Sequence, residues 1–262
     1  MRSRRTFLVA SLGASSIGLL ADAAGARGLF LKVNGQNLHL EVLGDTGPTV
    51  VFEAGLGNDS RTWASVAGPV AQFATVVLYD RAGLGKSLPM LDTSSPVTAE
   101  QVADNLHALL TGARLPSPYI LVGHSLGGLY VQMFAKRYAK EVSGVVLLDS
   151  SSTDAPNELK TRARLEPGTA AYLEQEGIPE SNRQVMDAGP FPDVPLTVIA
   201  ATDHGPFFKE WEPTLMRLQQ GLAALSAQSV VVVAQGSGHD VQVDRPAIVI
   251  DAVRYMATKP NR

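Results

Sequence analysis

The residues with the clearest chemical promise stand between a short apolar run and a helix: Gly123-His124-Ser125-Leu126-Gly127-Gly128, entered from Tyr119-Ile120-Leu121-Val122. A serine in a Gly-x-Ser-x-Gly turn sits on a sharp strand-to-helix corner with its Oγ exposed, and Gly123 and Gly127 leave room where a Cβ would clash. Glycine and serine are common, so the pentapeptide takes its meaning from its flanks. Residues 119–122 read as a buried strand, while Leu126, Leu129, Tyr130 and Met133 recur at helical spacing. Ser125 is therefore the candidate nucleophile. A serine hydroxyl needs a base to take its proton as it attacks, and histidine is that base by pKa. The chain has five. His39 lies in an early alternating strand, His107 inside a helix, and His124 beside the serine but turned aside by the corner; His204 and His239 follow later. The chain has no cysteine, which excludes disulfides, thiolate catalysis and Cys-ligated zinc.

The elements that must position these groups alternate. Phe30 to Val33 and Leu38 to Leu43 flank Asn34-Gly35 and read as an antiparallel hairpin. Thr49 to Phe52 is a short buried strand, followed by the glycine-rich loop Glu53-Ala54-Gly55-Leu56-Gly57-Asn58 and a helix carrying Trp63, Val66 and Val70. Thr75 to Tyr79 is the next strand and ends in Asp80-Arg81-Ala82-Gly83-Leu84-Gly85-Lys86-Ser87. A helix from about Thr98 to Leu110 precedes the strand at 119–122, and the helix after Ser125 runs to about Tyr138. Further strands are expected at 142–148, 196–200 and 230–234, with helices near 211–225 and 245–256. This order predicts an α/β protein with a mostly parallel central sheet and helices on both faces. Between Asp149 and Pro195 the pattern changes to polar helix-formers broken by prolines, so residues 151–194 are expected to form a small inserted cap, since some 40 unstructured residues are unusual inside a compact domain.

Composition bounds the partners. The 262 residues are 45% hydrophobic and 18% charged, with a formal charge of −3 and no lysine-rich block or basic helix. Neither nucleic acid nor an anionic membrane surface is suggested. Ser3-Arg4-Arg5-Thr6-Phe7-Leu8 forms a twin-arginine pattern, followed by a modestly apolar stretch and small residues to Ala26. Residues 1–26 resemble an export signal, leaving 27–262 as the mature domain in the periplasm or outside the cell. The apolar stretch is too short and too rich in small residues to span a bilayer comfortably. Removing residues 1–26 takes away three arginines and one aspartate and moves the formal charge from −3 to −5.

Together these stretches resemble an α/β-hydrolase over residues 29–258, on Gly-His-Ser-Leu-Gly-Gly at 123–128, Asp-Arg-Ala-Gly-Leu-Gly-Lys-Ser at 80–87, the loop at 53–57 and Gly-Ser-Gly-His at 236–239. One departure is Ala54-Gly55, preceded by Glu53, where the family often has His-Gly. The resemblance implies the order Ser, acid, His, which makes His239 the base. For the acid it implies Asp203, at the end of the strand after the cap, or alternatively Asp149, which some capped members use. The 36-residue spacing from Asp203 to His239 is longer than the family leads one to expect. The oxyanion hole is expected from the backbone N–H groups of Leu56 and Leu126. Asp80 and Arg81 are expected to brace the neighbouring loops as a buried pair. No metal and no cofactor are expected, since Asp203-His204 with His239-Asp240 lacks a recognised ligand spacing.

The implied activity is hydrolysis of a carboxylic ester or related acyl bond through an acyl-enzyme, on a small-molecule acyl substrate. Perhydrolysis or C–C bond hydrolysis on the same triad, and a non-catalytic ligand receptor of the same fold, are the alternatives. Oligomeric state leaves no mark in the sequence.

Overall fold

The computed structural model describes residues 20–21, 27–155 and 164–258. Apart from the two-residue strand β1 (Leu20–Ala21), the expected export signal lies outside the described residues. Strands β2 (Arg27–Val33) and β3 (Gln36–Leu43) form the expected hairpin. Its two-residue turn has φ of 47° at Asn34 and 86° at Gly35, the left-handed pair that matches the twist of the flanking strands. The remaining strands are β4 (Thr49–Glu53), β5 (Thr75–Tyr79), β6 (Tyr119–His124), β7 (Val142–Leu148), β8 (Leu196–Ala201) and β9 (Ser229–Ala234). They lie in the order β1-β2-β3-β5-β4-β6-β7-β8-β9, antiparallel up to β5 and parallel from there on.

Helices α1 (Ala64–Val70), α2 (Ala99–Gly112), α3 (Leu126–Arg137), α4 (Ala170–Asp187), α5 (Glu212–Ala223), α6 (Val241–Asp244) and α7 (Pro246–Thr258) cover the sheet. A strand buried on both faces reads as continuous apolar sequence, and its alternate residues enter different cores. In β6, Leu121 joins the core beneath α2 and α3, while Ile120 and Val122 join the one beneath α1 and α7. Helix α2 buries Val102, Ala103, Leu106, Leu109 and Leu110, the spacing of one helical face. Helix α3 is buried from Leu126 to Ala135, which explains why that stretch is apolar but for Gln132 and the Tyr130 hydroxyl. Each fully buried leucine or valine contributes about 1.5–3 kcal/mol.

The winding direction reverses around β4: β5 lies on one side of it, and β6, reached next, on the other. Connections leaving β4 and β6 therefore diverge, and a crevice opens beyond their carboxyl ends. Between β7 and β8 the described residues contain one helix, α4, within the segment expected to be a cap. It is tied down by Ser181 Oγ, which accepts from Ala99 N at 2.9 Å, and by the Val185 carbonyl, which accepts from Lys136 Nζ at 2.7 Å. The short α6, directly after His239, has no counterpart in the sequence reading. No described helix is long and apolar enough to cross a membrane.

Candidate active site

Ser125 stands between β6 and α3 with φ 54° and ψ −123°, a left-handed conformation that costs a non-glycine residue about 1–3 kcal/mol. The corner closes because its glycines permit close approach. A Cβ on Gly123 would lie 2.7 Å from the Gly127 carbonyl oxygen, and one on Gly127 would lie 2.4 Å from that of Ala54. Ser125 N donates to the Leu148 carbonyl at 3.0 Å, and the Ser125 carbonyl accepts from Ser151 N at 2.9 Å, so the corner is anchored to the end of β7.

The carboxylate beside His239 is that of Asp149. Its Oδ2 lies 2.6 Å from His239 Nδ1. Asp203, the first-ranked expectation, is exposed, and its Oδ1 accepts from Gly205 N at 3.3 Å within its own turn. Local backbone decides between them. Asp149 has φ 37°, a second left-handed residue at a strand end, and its carboxylate is 4% exposed. Its Oδ1 also accepts from Ala201 N at 3.3 Å. Burial by itself would push this carboxyl up, but the hydrogen bonds from His204 and His239 and the charges of both rings hold it well below the usual carboxylate range. Ser125, Asp149 and His239 all line one cavity of about 470 Å³.

The remaining histidines are accounted for by other contacts. His124 Nε2 donates to the His239 carbonyl at 2.9 Å and so helps hold the loop that carries His239. Burial, reinforced by the neighbouring His239 ring, lowers its pKa to about 4, so it is neutral under ordinary conditions. His39 Nδ1 lies 3.2 Å from Asp80 Oδ2, and His107 Nε2 lies 3.0 Å from Glu141 Oε1. His204 Nε2 reaches Asp149 Oδ2 at 2.7 Å, which the sequence reading did not anticipate. Asp149, His204 and His239 thus bring three possible ligand atoms together. The nitrogen-to-oxygen separations of 2.6 and 2.7 Å fit charge-assisted hydrogen bonds. Two atoms of a tetrahedral zinc shell with ~2.0–2.1 Å bonds would stand about 3.3 Å apart. The arrangement is therefore that of a hydrogen-bonded histidine–carboxylate cluster.

A sequence profile described as Alpha/beta hydrolase family matches residues 50–184. The chain belongs to the alpha/beta hydrolase family. It is 31% identical over 218 residues to the uncharacterized protein YqjL of Bacillus subtilis, covering 79% of this chain and 82% of that one. Among solved structures, the enol-lactonase of Burkholderia xenovorans LB400 superposes with a TM-score of 0.66 at 21% identity, covering 88% of this chain and 100% of the other. A thermophilic esterase from Thermogutta terrifontis gives 0.64 at 19% identity, covering 88% and 99%.

In this alpha/beta hydrolase the loop after β4 is shaped by Arg81. Its Nη1 donates to the Ala54 carbonyl at 2.8 Å and to Glu53 Oε1 at 2.6 Å, and its Nη2 donates to the Gly55 carbonyl at 2.7 Å. Holding those two carbonyls leaves Leu56, one of the two expected anion donors, on a fixed turn. Glu174 of α4 completes the cluster. Its Oε1 accepts from Arg81 Nε at 2.6 Å, and its Oε2 from Gly57 N at 2.8 Å. Tyr79 donates to Glu53, whose carboxyl burial pushes up despite the adjacent guanidinium.

The expected Asp80–Arg81 pair is thus corrected. Neighbours at a strand end point to opposite sides, and Asp80 instead accepts from Ser60 N and Lys86 N, both at 2.9 Å. Glu53 was visible as a lone charge ending an apolar run. Glu174 left no signal among the many polar residues of its helix.

Removing Arg81 would leave two carboxylates buried without their cation, and such losses cost about 3–5 kcal/mol. Arg81→Ala should unfold at a correspondingly lower urea concentration. An unchanged midpoint would show that the cluster contributes nothing to stability.

Proposed function

We propose that this chain is a serine hydrolase acting on a carboxylic ester or lactone through an acyl-enzyme. The observation that carries the reading is His239 Nδ1 at 2.6 Å from Asp149 Oδ2, with Ser125 on the same cavity wall. Asp149 holds the imidazole in the tautomer with Nδ1 protonated, leaving Nε2 as the base. Ser125 Oγ attacks the carbonyl carbon while His239 takes its proton, and the oxyanion is stabilised by the N–H groups of Leu56 and Leu126. His239 then protonates the departing oxygen as the C–O bond breaks. Water, activated by the same histidine, adds to the acyl carbonyl and releases the acid and free Ser125.

The substrate reading is a small, mostly uncharged acyl compound. Gln175, Ile178, Pro179 and Asn182 of α4 line the cavity at the spacing of one helical face, opposite Leu215 and Leu218 of α5. We take residues 151–194 as the cap that selects the acyl and alcohol groups. A fluorophosphonate probe tests the reading directly: it should label Ser125 in the intact protein, and turnover should follow on a graded series of nitrophenyl esters. Failure to label would favour a non-catalytic receptor, whereas labelling with turnover only of peracid or diketone substrates would move the reaction class.

Export by the twin-arginine route belongs to the same proposal. Replacing Arg4 and Arg5 together by lysine should retain the full-length protein in the cytoplasm. Normal processing of that variant, followed by fractionation and immunoblotting, would assign export to another route.

A further inference from the structure

Asp149 Oδ2 serves two histidines, 2.6 Å from His239 Nδ1 and 2.7 Å from His204 Nε2. His204 has a second carboxylate on its other side, with Nδ1 2.9 Å from Glu212 Oε2. Glu212 also accepts the His204 backbone N–H at 2.7 Å, so the first turn of α5 grips both the main chain and the ring. Ionised carboxylates only accept hydrogen bonds. Both His204 contacts are therefore satisfied together only when both of its nitrogens carry protons.

We propose that His204, held as an imidazolium between Asp149 and Glu212, is a positioning residue that fixes the Asp149 carboxylate against His239 and sets a positive charge beside that ring. The inference rests on the hydrolase reading above and assigns the role of a group which that mechanism does not use.

The groups facing His204 are Asp149 at the end of β7, Glu212 at the start of α5 and the His239 ring, 6.2 Å away between centroids. Asp203 is its exposed chain neighbour. His239 in turn faces His124, with ring centroids 4.6 Å apart, and Asp240 follows it in the chain. Burial by itself would lower the His204 pKa, but the hydrogen bonds and charges of Asp149 and then Glu212 raise it to about 9.

Two consequences follow from that charge. The carboxylate receives a second charge-assisted donor on the oxygen that orients His239, which restricts its rotation. The fixed positive charge opposes a second positive charge on His239 in the resting enzyme. The acid limb of kcat/KM, which reports the free enzyme's base, should therefore move to higher pH when His204 is replaced by a neutral side chain. With His239 protonated in the transition state, Asp149, Glu212 and the two imidazoliums sum to no net charge.

The test uses histidine 15N NMR and pH–rate profiles of the whole protein. In wild type one imidazole should remain doubly protonated beyond pH 8 and titrate near 9. In Glu212→Gln that same titration should fall by about one unit or more, which assigns it to His204 through a partly exposed partner. His204→Gln should raise the acid limb by about one pH unit. It should also lower kcat about tenfold, with KM changed less than twofold. His204→Lys, which keeps the charge, should return the acid limb toward wild type.

Absence of any imidazole titrating above pH 8 overturns the proposal, as does an acid limb unmoved by His204→Gln. Should His204→Gln not fold, the wild-type and Glu212→Gln titrations decide. Failure of the hydrolase reading would appear separately, as absence of fluorophosphonate labelling at Ser125, since the NMR titration reads the His204 charge whether or not the protein turns over.

Discussion

Ser125→Ala is expected to abolish ester turnover while leaving the fold intact. The hydroxyl oxygen would be the atom that forms the acyl bond, and alanine offers no group in its place. The corner itself depends on Gly123 and Gly127, whose added Cβ atoms would lie 2.7 and 2.4 Å from carbonyl oxygens, and not on the serine side chain. The left-handed φ of 54° suits alanine no worse than serine, so the stability change should be small. Loss of kcat should be about 10³-fold or more, with residual rate coming from binding and the anion donors alone. The check pairs steady-state kinetics with urea unfolding of the same preparation. Near wild-type kcat would remove Ser125 from the nucleophile's role, whereas lost activity with a lowered midpoint would point to damage of the corner.

Asp149→Asn should approach a 10⁴-fold loss in kcat, about as large as such a change produces where a buried aspartate orients a histidine base. Asparagine keeps the shape but can offer an N–H donor where Nδ1–H needs an acceptor, which favours the unproductive tautomer. The same change removes the charge that stabilises the imidazolium at His239, so both effects point the same way. Asp203→Asn should be mild, because Asp203 is exposed and its carboxylate accepts from Gly205 N within its own turn. Measuring the two variants side by side on one substrate gives a ranking that no global destabilisation would imitate. Equal losses, or a larger loss at Asp203, would mean that the active conformation places a different carboxylate on His239.

Much of the architecture was open to reading from local pattern. Continuous, mostly apolar runs of four to seven residues, each followed by a glycine-rich or polar turn and then a helical period, are what a parallel sheet covered on both faces demands. The Asn34-Gly35 turn belongs to the same class, since its paired left-handed residues follow from residue type. The short α6 was missed because four residues carry no period to detect. The corner at Ser125 could be read because the residue types it requires lie within six consecutive positions.

The acid could not be chosen that way. Asp149 and Asp203 both end strands in adjacent positions of the sheet, and a chain pattern does not say which carboxylate turns inward. The answer came from a left-handed φ at Asp149 and from the neighbouring β8, whose Ala201 N–H meets its Oδ1. Arg81 illustrates the same limit. The sequence offers Asp80 as its obvious neighbour, yet its carboxylates come from Glu53, 28 residues back, and Glu174, 93 residues on.

Residue type and local spacing thus determined the α/β class, the strand and helix order and the corner at Ser125, while the family resemblance singled out the histidine at 239. Tertiary structure alone decided which carboxylate faces His239, what Arg81 holds, and that His204 and Glu212 complete the cluster. The reason is physical: steric and periodic requirements act between residues close in the chain, whereas a buried charge is satisfied by whichever partner the packing of distant segments brings within about 3 Å.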